Sequence, residues 1–521
     1  MTGTVPAKKP ETTRRHLLAL AAAGTLAPAF VRHARAADLP RFDLGIASGQ
    51  PHAAGMVLWT RLSGPGLPSQ VDVAWELAED EAFTRIAARG TEQALADDAH
   101  SVHAEPTGLP SARPFWYRFT ALGQRSPVGR TRTAPAPDAA VSRLDFSIAS
   151  CQRFDTGHFA AWRDVAAQGK GQGLGDLDLV LFLGDYIYER PAAGADPVRR
   201  VEAGRVRTLA GYRDRYALYK SDPALQAAHA ACPWLIVWDD HEVDNDYAGL
   251  QGQDLQFNFA RERAAAYQAY WEHMPLPKAL RPVDGAMRIY GHLDWGRLAR
   301  LHLLDDRQYR DPQACPRPGR GGSSTVALAD CSLLADPRRT LLGAAQERWL
   351  ADNWSLDRPW NLLAQQTLMA RFDWADPARG GRYWTDGWDG YAPARNRLLG
   401  VVAQKRVPGV VVLGGDVHAN YVADLKADYD DPKSVVIATE FCGTSISSVG
   451  LPQEQVNAAL RHNPHIHFGR ADERGTVRFT LQRGELQAQL RVVADARDAG
   501  SAVATAAQFA VQAGRPGAVR V

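Results

Sequence analysis

Apolar and polar positions are arranged as short buried-looking runs, each ending in chemically capable residues. Phe146 to Ser150 runs into Cys151-Gln152, and Leu179 to Leu183 into Gly184-Asp185-Tyr186-Ile187-Tyr188-Glu189. Leu235 to Trp238 runs into Asp239-Asp240-His241-Glu242, and Leu301 to Leu304 into Asp305-Asp306-Arg307. Leu362-Leu363 reaches Gln365-Gln366, Val410 to Leu413 runs into Gly414-Gly415-Asp416-Val417-His418, and Val435 to Ala438 reaches Glu440. Runs of this length bounded by turn residues predict strands. Between them the pattern predicts helices over 157–168, 208–219, 258–273 and 344–354. Strands alternating with helices predict a layered α/β domain with a largely buried sheet. Ligands bind beyond the strand ends of such sheets. Cys, Asp, Tyr, His and Asn are therefore expected to converge on one rim.

Upstream the pattern differs. Alternating runs such as Val71-Asp72-Val73-Ala74-Trp75 and Phe115-Trp116-Tyr117-Arg118-Phe119, separated by Gly, Pro and Ser, predict a small antiparallel β-sandwich over 40–138. A Pro/Ala stretch around Arg132 to Asp138 marks the boundary with a catalytic domain over 139–500. The Gly/Arg/Ser-rich stretch 308–338 is expected to be an excursion loop. Alternation over 476–494 predicts strands added to a sheet, and the Ala/Gly-rich end, 501–521, is expected to be a flexible tail.

A length of 521 residues predicts more than one domain, and 45% apolar with 23% charged residues is ordinary for a soluble globular chain. A net charge of +2 gives no signal for nucleic-acid binding. Fourteen Trp is a high count, and Trp384 and Trp388 in polar surroundings suggest pocket walls. Residues 1–36 are expected to be a twin-arginine signal peptide: Arg14-Arg15, an apolar stretch from Leu17 to Val31, then Ala34-Arg35-Ala36 as a cleavage site. That predicts export of a folded protein by the twin-arginine machinery to the periplasm or beyond, with no transmembrane anchor. Of five cysteines, Cys315 and Cys331 flank a loop that a disulfide would close. Cys232 is expected in the core, and Cys151, at a strand end, suits a metal thiolate.

Gly184-Asp185-x-x-Tyr188 sets a carboxylate and a phenol on one loop. A carboxylate bridges two cations through its two oxygens. A phenolate suits trivalent iron, because a strong Lewis acid lowers the phenol's pKa from about 10. A Cys151 thiolate adds a softer ligand. Gly415-Asp416-x-His418 puts two more ligand types on another loop. Asp239, Asp240, Glu242, Asp244 and Asp246 crowd one turn, and clustered carboxylates repel unless cations neutralise them. Each motif alone is ordinary turn chemistry. Together they point to a multinuclear metal site that hydrolyses phosphate esters.

In this order, Ser150-Cys151-Gln152, Leu183 to Glu189, Val237 to Asn245 and Gly414 to His418 resemble the motifs of the alkaline phosphatase D family, a branch of the calcineurin-like metallophosphoesterases. The likeness includes Leu58-Trp59-Thr60-Arg61, Arg307-Gln308-Tyr309-Arg310, Trp388-Asp389-Gly390-Tyr391 and Gly443-Thr444-Ser445, and spans about Phe42 to Val493. It implies a metallophosphoesterase-like layered α/β sandwich preceded by a small all-β domain of fibronectin or immunoglobulin type. It also implies ferric iron (Fe3+) with calcium (Ca2+) beside it. Cys151, Asp185, Tyr188, Asp416 and His418 resemble the iron ligands. Asp185 then bridges to calcium, with Asp240 and Asn245 as further calcium ligands. His241 matches the position that contacts phosphate or protonates the leaving group. Arg307 and Arg395 are read as a fork on the non-reacting phosphate oxygens, with pairing to Asp305 or Asp389 as the alternative. Asp306 stands where Thr is usual, and Cys442 where an aliphatic residue is usual.

The implied activity is that of an exported phosphomonoesterase or phosphodiesterase acting on small phosphate esters. The two cations neutralise charge on the phosphoryl oxygens and activate a water for in-line attack. Phospholipase-D-like action on phospholipids is the second reading, and a cell-wall phosphodiester offers the same bond. A non-catalytic adhesion or binding protein is the reading from another class, and the intact ligand set counts against it.

Overall fold

The computed structural model describes residues 2–3, 41–168, 176–194, 196–202 and 204–521. The expected twin-arginine and cleavage motifs lie outside the described residues. Eight strands come first: β1 (Ile46–His52), β2 (Gly55–Arg61), β3 (Gln70–Ala78), β4 (Ile86–Leu95), β5 (Ser101–Ala104), β6 (Pro114–Ala121), β7 (Gln124–Arg125) and β8 (Gly129–Arg132). Then follow β9 (Arg143–Ala149), α1 (Ala161–Gln168), β10 (Leu179–Phe182), α2 (Leu209–Lys220), α3 (Pro223–Ala231), β11 (Trp234–Ile236) and α4 (Phe259–His273). The middle of the chain forms β12 (Gly291–Trp295), β13 (Ala299–Leu303), β14 (Thr325–Val326), α5 (Gly343–Asn353), β15 (Trp360–Ala364), β16 (Tyr383–Trp384), α6 (Ala392–Lys405) and β17 (Val410–Gly414). The last part forms β18 (Asn420–Lys426), β19 (Val436–Cys442), α7 (Gln453–Leu460), β20 (Ile466–Arg470), β21 (Gly475–Gln482), β22 (Glu485–Val493), β23 (Val503–Gln512) and β24 (Arg515–Arg520).

Every apolar run singled out in the sequence is a strand, namely β9, β10, β11, β13, β15, β17 and β19. They do not form one sheet. The first three are parallel neighbours in a ten-stranded sheet ordered β24-β23-β22-β21-β9-β10-β11-β1-β2-β5. The other four are parallel neighbours in a seven-stranded sheet ordered β12-β13-β15-β17-β19-β18-β20. Val410-Val411-Val412-Leu413 shows why such strands read as continuous apolar runs. Val411 and Leu413 join a core with Ile148 and Phe479 of the other sheet, whereas Val410 and Val412 join a core with Leu398 and Val402 of α6. Successive side chains point to opposite faces, and both faces are covered.

The expected helices form as α1, α2, α4 and α5; α3, α6 and α7 are additional. α3 and α7 have only 9 and 8 residues, too short to display a full apolar stripe. The N-terminal core joins Ile46, Met56 and Leu58 to Val73, Phe115 and Phe119. This β region is not closed off at the Pro/Ala stretch, because β1, β2 and β5 continue the ten-stranded sheet beyond β11 through the Gly49–Trp234 pairing. The expectation of a flexible tail over 501–521 is corrected. β23 and β24 form a hairpin on β22, with Ala507, Phe509 and Val511 buried at period two among the small residues. Among the described residues, no helix is long and apolar enough to cross a membrane. The Cys315–Cys331 disulfide forms.

Candidate metal centre

Strand register carries into the loops. Past the β9–β10 pairing, the Cys151 N–H donates to Gly184 O at 3.1 Å and the Gln152 N–H to Asp185 O at 3.1 Å. Past β17, the Gly415 N–H donates to Gln366 O at 2.7 Å. Beyond those anchors the backbone turns sharply. Cys151 (φ 60°), Asp185 (φ 58°), Asp416 (φ 65°) and His418 (φ 52°) all sit in the left-handed region. Non-glycine residues held in such conformations cost on the order of 1–3 kcal/mol each and cluster at functional sites. Gly184 (φ 107°) lets this rim close, since a Cβ there would lie 2.4 Å from Asp239 Cβ.

The turns bring Cys151 Sγ, a carboxylate oxygen of Asp185 and a ring nitrogen of His418 within 4.8 Å of one another. The Tyr188 hydroxyl donates to Asp185 Oδ2 at 2.8 Å, lies 3.2 Å from His418 Nε2 and accepts from Ser448 Oγ at 2.7 Å. His418 Nδ1 faces the Val449 carbonyl at 2.9 Å, which leaves Nε2 for the cluster. Burial lowers His418 to about 3, so the ring is neutral and fit to ligate. Burial, then the charges of Asp185 and Asp416, push the Cys151 thiol up, and burial with Asp185 and Cys151 does the same to the Tyr188 phenol. Asp416 is raised by burial to about 7, and Asp185 and Asp239 lie well above the usual carboxylate range. Asp185, Asp240 and His241 form a second group within 4.8 Å, and Asp240, Asp246 and Asp386 a third. Asp239 Oδ2, Asp240 Oδ1 and Asp416 Oδ2 are buried without a hydrogen-bond partner. Orphaned carboxylate oxygens around thiol, phenol and imidazole donors fit bound cations, which would neutralise the crowding.

The acidic turn after β11 divides its labour. Asp240 and the His241 ring come within 4.8 Å of the Asp185 carboxylate, and the His241 N–H donates to Asp185 Oδ1. Asp239 pairs with Arg307, and Asp244 with Arg190 and Arg205. Glu242 folds back to accept the N–H groups of Asp185 (3.0 Å), Tyr186 (2.5 Å) and Asp239 (2.8 Å), binding two motif loops together. Asn245 lies on this turn with its N–H on Glu189 Oε1 at 3.3 Å. His241 Nδ1 is 2.6 Å from Glu189 Oε2, and its ring lies on Tyr188 with centroids 4.1 Å apart. Burial opposes the charged ring, but Glu189, Asp185 and Asp240 outweigh it and hold His241 at about 10.

The two arginines part company. Arg307 is buried among carboxylates: Asp239, Asp386 at 2.6 Å, Asp416 at 3.7 Å and Asp240 at 3.8 Å. Asp305 takes only its backbone N–H, at 3.0 Å. Arg395 on α6 is instead bonded to Asp389 at 2.6 Å and to the Met369 carbonyl at 3.1 Å. In place of the expected fork, Arg395 takes the Asp389 pairing, the alternative left open in the sequence, and Arg307 meets Asp239 and Asp386.

A family model described as PhoD-like phosphatase matches residues 146–490, and one described as PhoD-like phosphatase, N-terminal domain, matches residues 26–135. Alkaline phosphatase D of Bacillus subtilis (strain 168) is 41% identical over 497 residues, covering 92% of this chain and 82% of that protein. The chain belongs to the PhoD-like phosphatase family. A solved structure of PhoD superposes with a TM-score of 0.85 at 39% identity, covering 92% of each chain. The protein is accordingly a hydrolase of phosphoric ester bonds, and the adhesion-protein reading is set aside.

Several residues of the centre carry no motif signal in the sequence. Ser448 Oγ lies 2.7 Å from the Tyr188 hydroxyl and 2.8 Å from the Cys151 carbonyl, with one proton shared between the two contacts. The Arg153 guanidinium lies 4.1 Å from the Tyr188 ring centroid. Asp386 collects Arg307, Arg310 and Gln313. Trp384 and Trp388, expected as pocket walls, line a cleft with Phe372, Trp374, Val417 and Leu451.

Proposed function

We propose that this phosphoesterase is exported and cleaves small phosphate mono- and diesters at a centre of ferric iron and calcium. The observation that carries the reading is the convergence of Cys151, Asp185 and His418 donor atoms within 4.8 Å, with the Tyr188 hydroxyl bonded into the same group. Thiolate, phenolate and imidazole together suit iron, and Asp416 completes the set. Asp185, Asp240 and Asn245 offer oxygen donors of the kind calcium takes. When bound, the cations supply Lewis acidity toward the phosphoryl oxygens and raise the acidity of an attacking water. His241, charged through Glu189, is placed to hand a proton to the leaving alkoxide. Arg307 balances the carboxylates behind the site. The two sheets, with helices on their outer faces, serve as the layers of a metallophosphoesterase-like sandwich. The Arg14-Arg15 segment supports export of the folded, loaded protein.

Metal analysis and visible absorption of active protein test the reading. One iron and at least one calcium per chain are expected, with a charge-transfer band that Tyr188→Phe shifts or bleaches. A colourless, fully active preparation holding only zinc overturns the iron assignment. Normal secretion of an Arg14→Lys, Arg15→Lys variant overturns the export route.

A further inference from the structure

The excursion segment 308–338 is tied to the centre by polar contacts. The Ser323 N–H and hydroxyl both donate to Asp246 Oδ2, at 2.8 and 2.7 Å, and Gln253 adds a third donor at 3.1 Å. Gln313 Nε2 donates to the Asp246 carbonyl at 2.7 Å and to Asp386 Oδ1 at 2.7 Å. The Ser324 N–H meets Thr385 Oγ1 at 2.9 Å, and the Thr385 N–H returns to the Ser324 carbonyl at 2.9 Å. Gly322 (φ 81°) permits the approach, since a Cβ there would lie 2.9 Å from Asp246 Oδ2.

The segment has little to hold itself together. Its apolar core is Ala314, Cys331 and Leu334, with Cys315, Val326 and Tyr383 packed against them. The Cys315–Cys331 bridge runs through that core and closes the loop carrying Ser323 and Ser324. Ser324 Oγ donates to the Cys315 carbonyl at 2.7 Å, which fastens the loop to the bridge.

The far end of the chain of contacts reaches the candidate ligands. Asp246 is held at φ 56°, and its N–H donates to Asp240 Oδ2 at 2.7 Å. Asp240 Oδ1 has no hydrogen-bond partner, so this bond, with the Arg307 guanidinium at 3.8 Å, orients the carboxylate. Asp386 in turn bonds Arg307 at 2.6 Å, beside Asp416. Once its side chain is released, Asp246 is free to leave a disfavoured conformation and swing its N–H off Asp240.

We infer that Ser323 and Gln313 are positioning residues for phosphoester hydrolysis, held by the Cys315–Cys331 bridge, and that they act by fixing Asp246 on Asp240 and Asp386 on Arg307. The inference rests on the phosphoesterase reading of the centre. Both act through other groups, by setting the aim of Asp240 and Arg307.

The test uses metal-loaded protein assayed on bis(p-nitrophenyl) phosphate, with metal content and Tm measured alongside. Ser323→Ala and Gln313→Leu should each lower kcat by about ten- to a hundred-fold, the scale of a small misplacement at a reacting centre. KM should stay within about two-fold, with Tm and metal content unchanged, and Ser323→Thr should recover most of the rate. Cys315→Ser with Cys331→Ser should lower kcat similarly. Adding Ser323→Ala to it should lower kcat less than the product of the separate effects, because both act through one chain of contacts. Wild-type kcat in Ser323→Ala and Gln313→Leu, full additivity, or losses that track Tm overturns the role. A wild-type protein with no esterase activity overturns the reading of the centre and this role with it.

Discussion

His241 stands between two carboxylate environments: Glu189 holds Nδ1 at 2.6 Å, while Asp185 receives its backbone N–H at 3.3 Å. His241→Ala should cost about a hundred- to ten-thousand-fold in rate, the worth of one general acid. The loss should be greatest for simple alkyl esters and smallest for nitrophenyl esters, whose leaving group departs without a proton. Equal losses on both, in steady-state assays, make it a phosphate contact instead. Lys220 poses a different question at the same scale. It is buried between the rings of Trp59 (4.2 Å) and Tyr186 (5.2 Å), and burial lowers it from 10.5 to about 7. The unfolded chain therefore binds the extra proton between about pH 7 and about pH 10.5, so stability rises with pH across that window. Lys220→Met keeps the stem and removes the titration. Denaturant unfolding at pH 7 and pH 10 should show wild type gaining on the variant, and parallel curves would contradict it.

At the scale of elements, one glycine shapes the rim and one hairpin joins the two sheets. Gly184 lies where the loop after β10 crosses the turn after β11, and a Cβ would also approach the Asp239 backbone nitrogen to 2.5 Å. Gly184→Ala adds this clash to a conformation that itself costs about 1–3 kcal/mol for a non-glycine residue. It should lower both Tm and bound metal, and wild-type metal content would show that the loops absorb it. The C-terminal hairpin is the second feature. The Gly517 N–H donates to Thr439 Oγ1 of β19 at 2.8 Å, so β24 reaches from the ten-stranded sheet to the seven-stranded one. Deleting residues 503–521 removes the buried Phe509 and Val511, each worth roughly 1.5–3 kcal/mol when fully buried, and uncovers Phe441 and Phe468, on whose rings Phe509 packs. A clear fall in unfolding free energy, with the metal set intact, is the expected calorimetric result.

For the whole molecule, the centre is a buried store of negative charge at the junction of two sheets. Asp239, Asp240, Asp386 and Asp416 are gathered around the Arg307 guanidinium, and Asp185 lies beside Asp240. Cations that bind the folded state and neutralise this charge stabilise it by mass action. Chelation should therefore lower Tm as well as activity, and calcium should restore both. An unchanged Tm after complete metal removal would mean that the carboxylates are neutralised by protons alone.

The sequence by itself determined the strands and the donors. Period, turn residues and local polarity are properties of neighbouring residues, so Cys151, Asp185, Tyr188, Asp240, His241, Asp416 and His418 were legible as strand-end chemistry. The tertiary structure alone decided which strands share a sheet, because parallel pairing joins segments far apart in the chain and leaves no local mark. That is why one expected sheet is two, and why the Val410–Leu413 run serves two cores. It also decided the partners of charges. Arg307 and Arg395 look alike in sequence, yet one meets Asp239 and Asp386 while the other meets Asp389. Ser448, Asp386 and Ser323 were invisible for the same reason. A single hydroxyl or carboxylate acquires a role only when a distant loop is folded onto it.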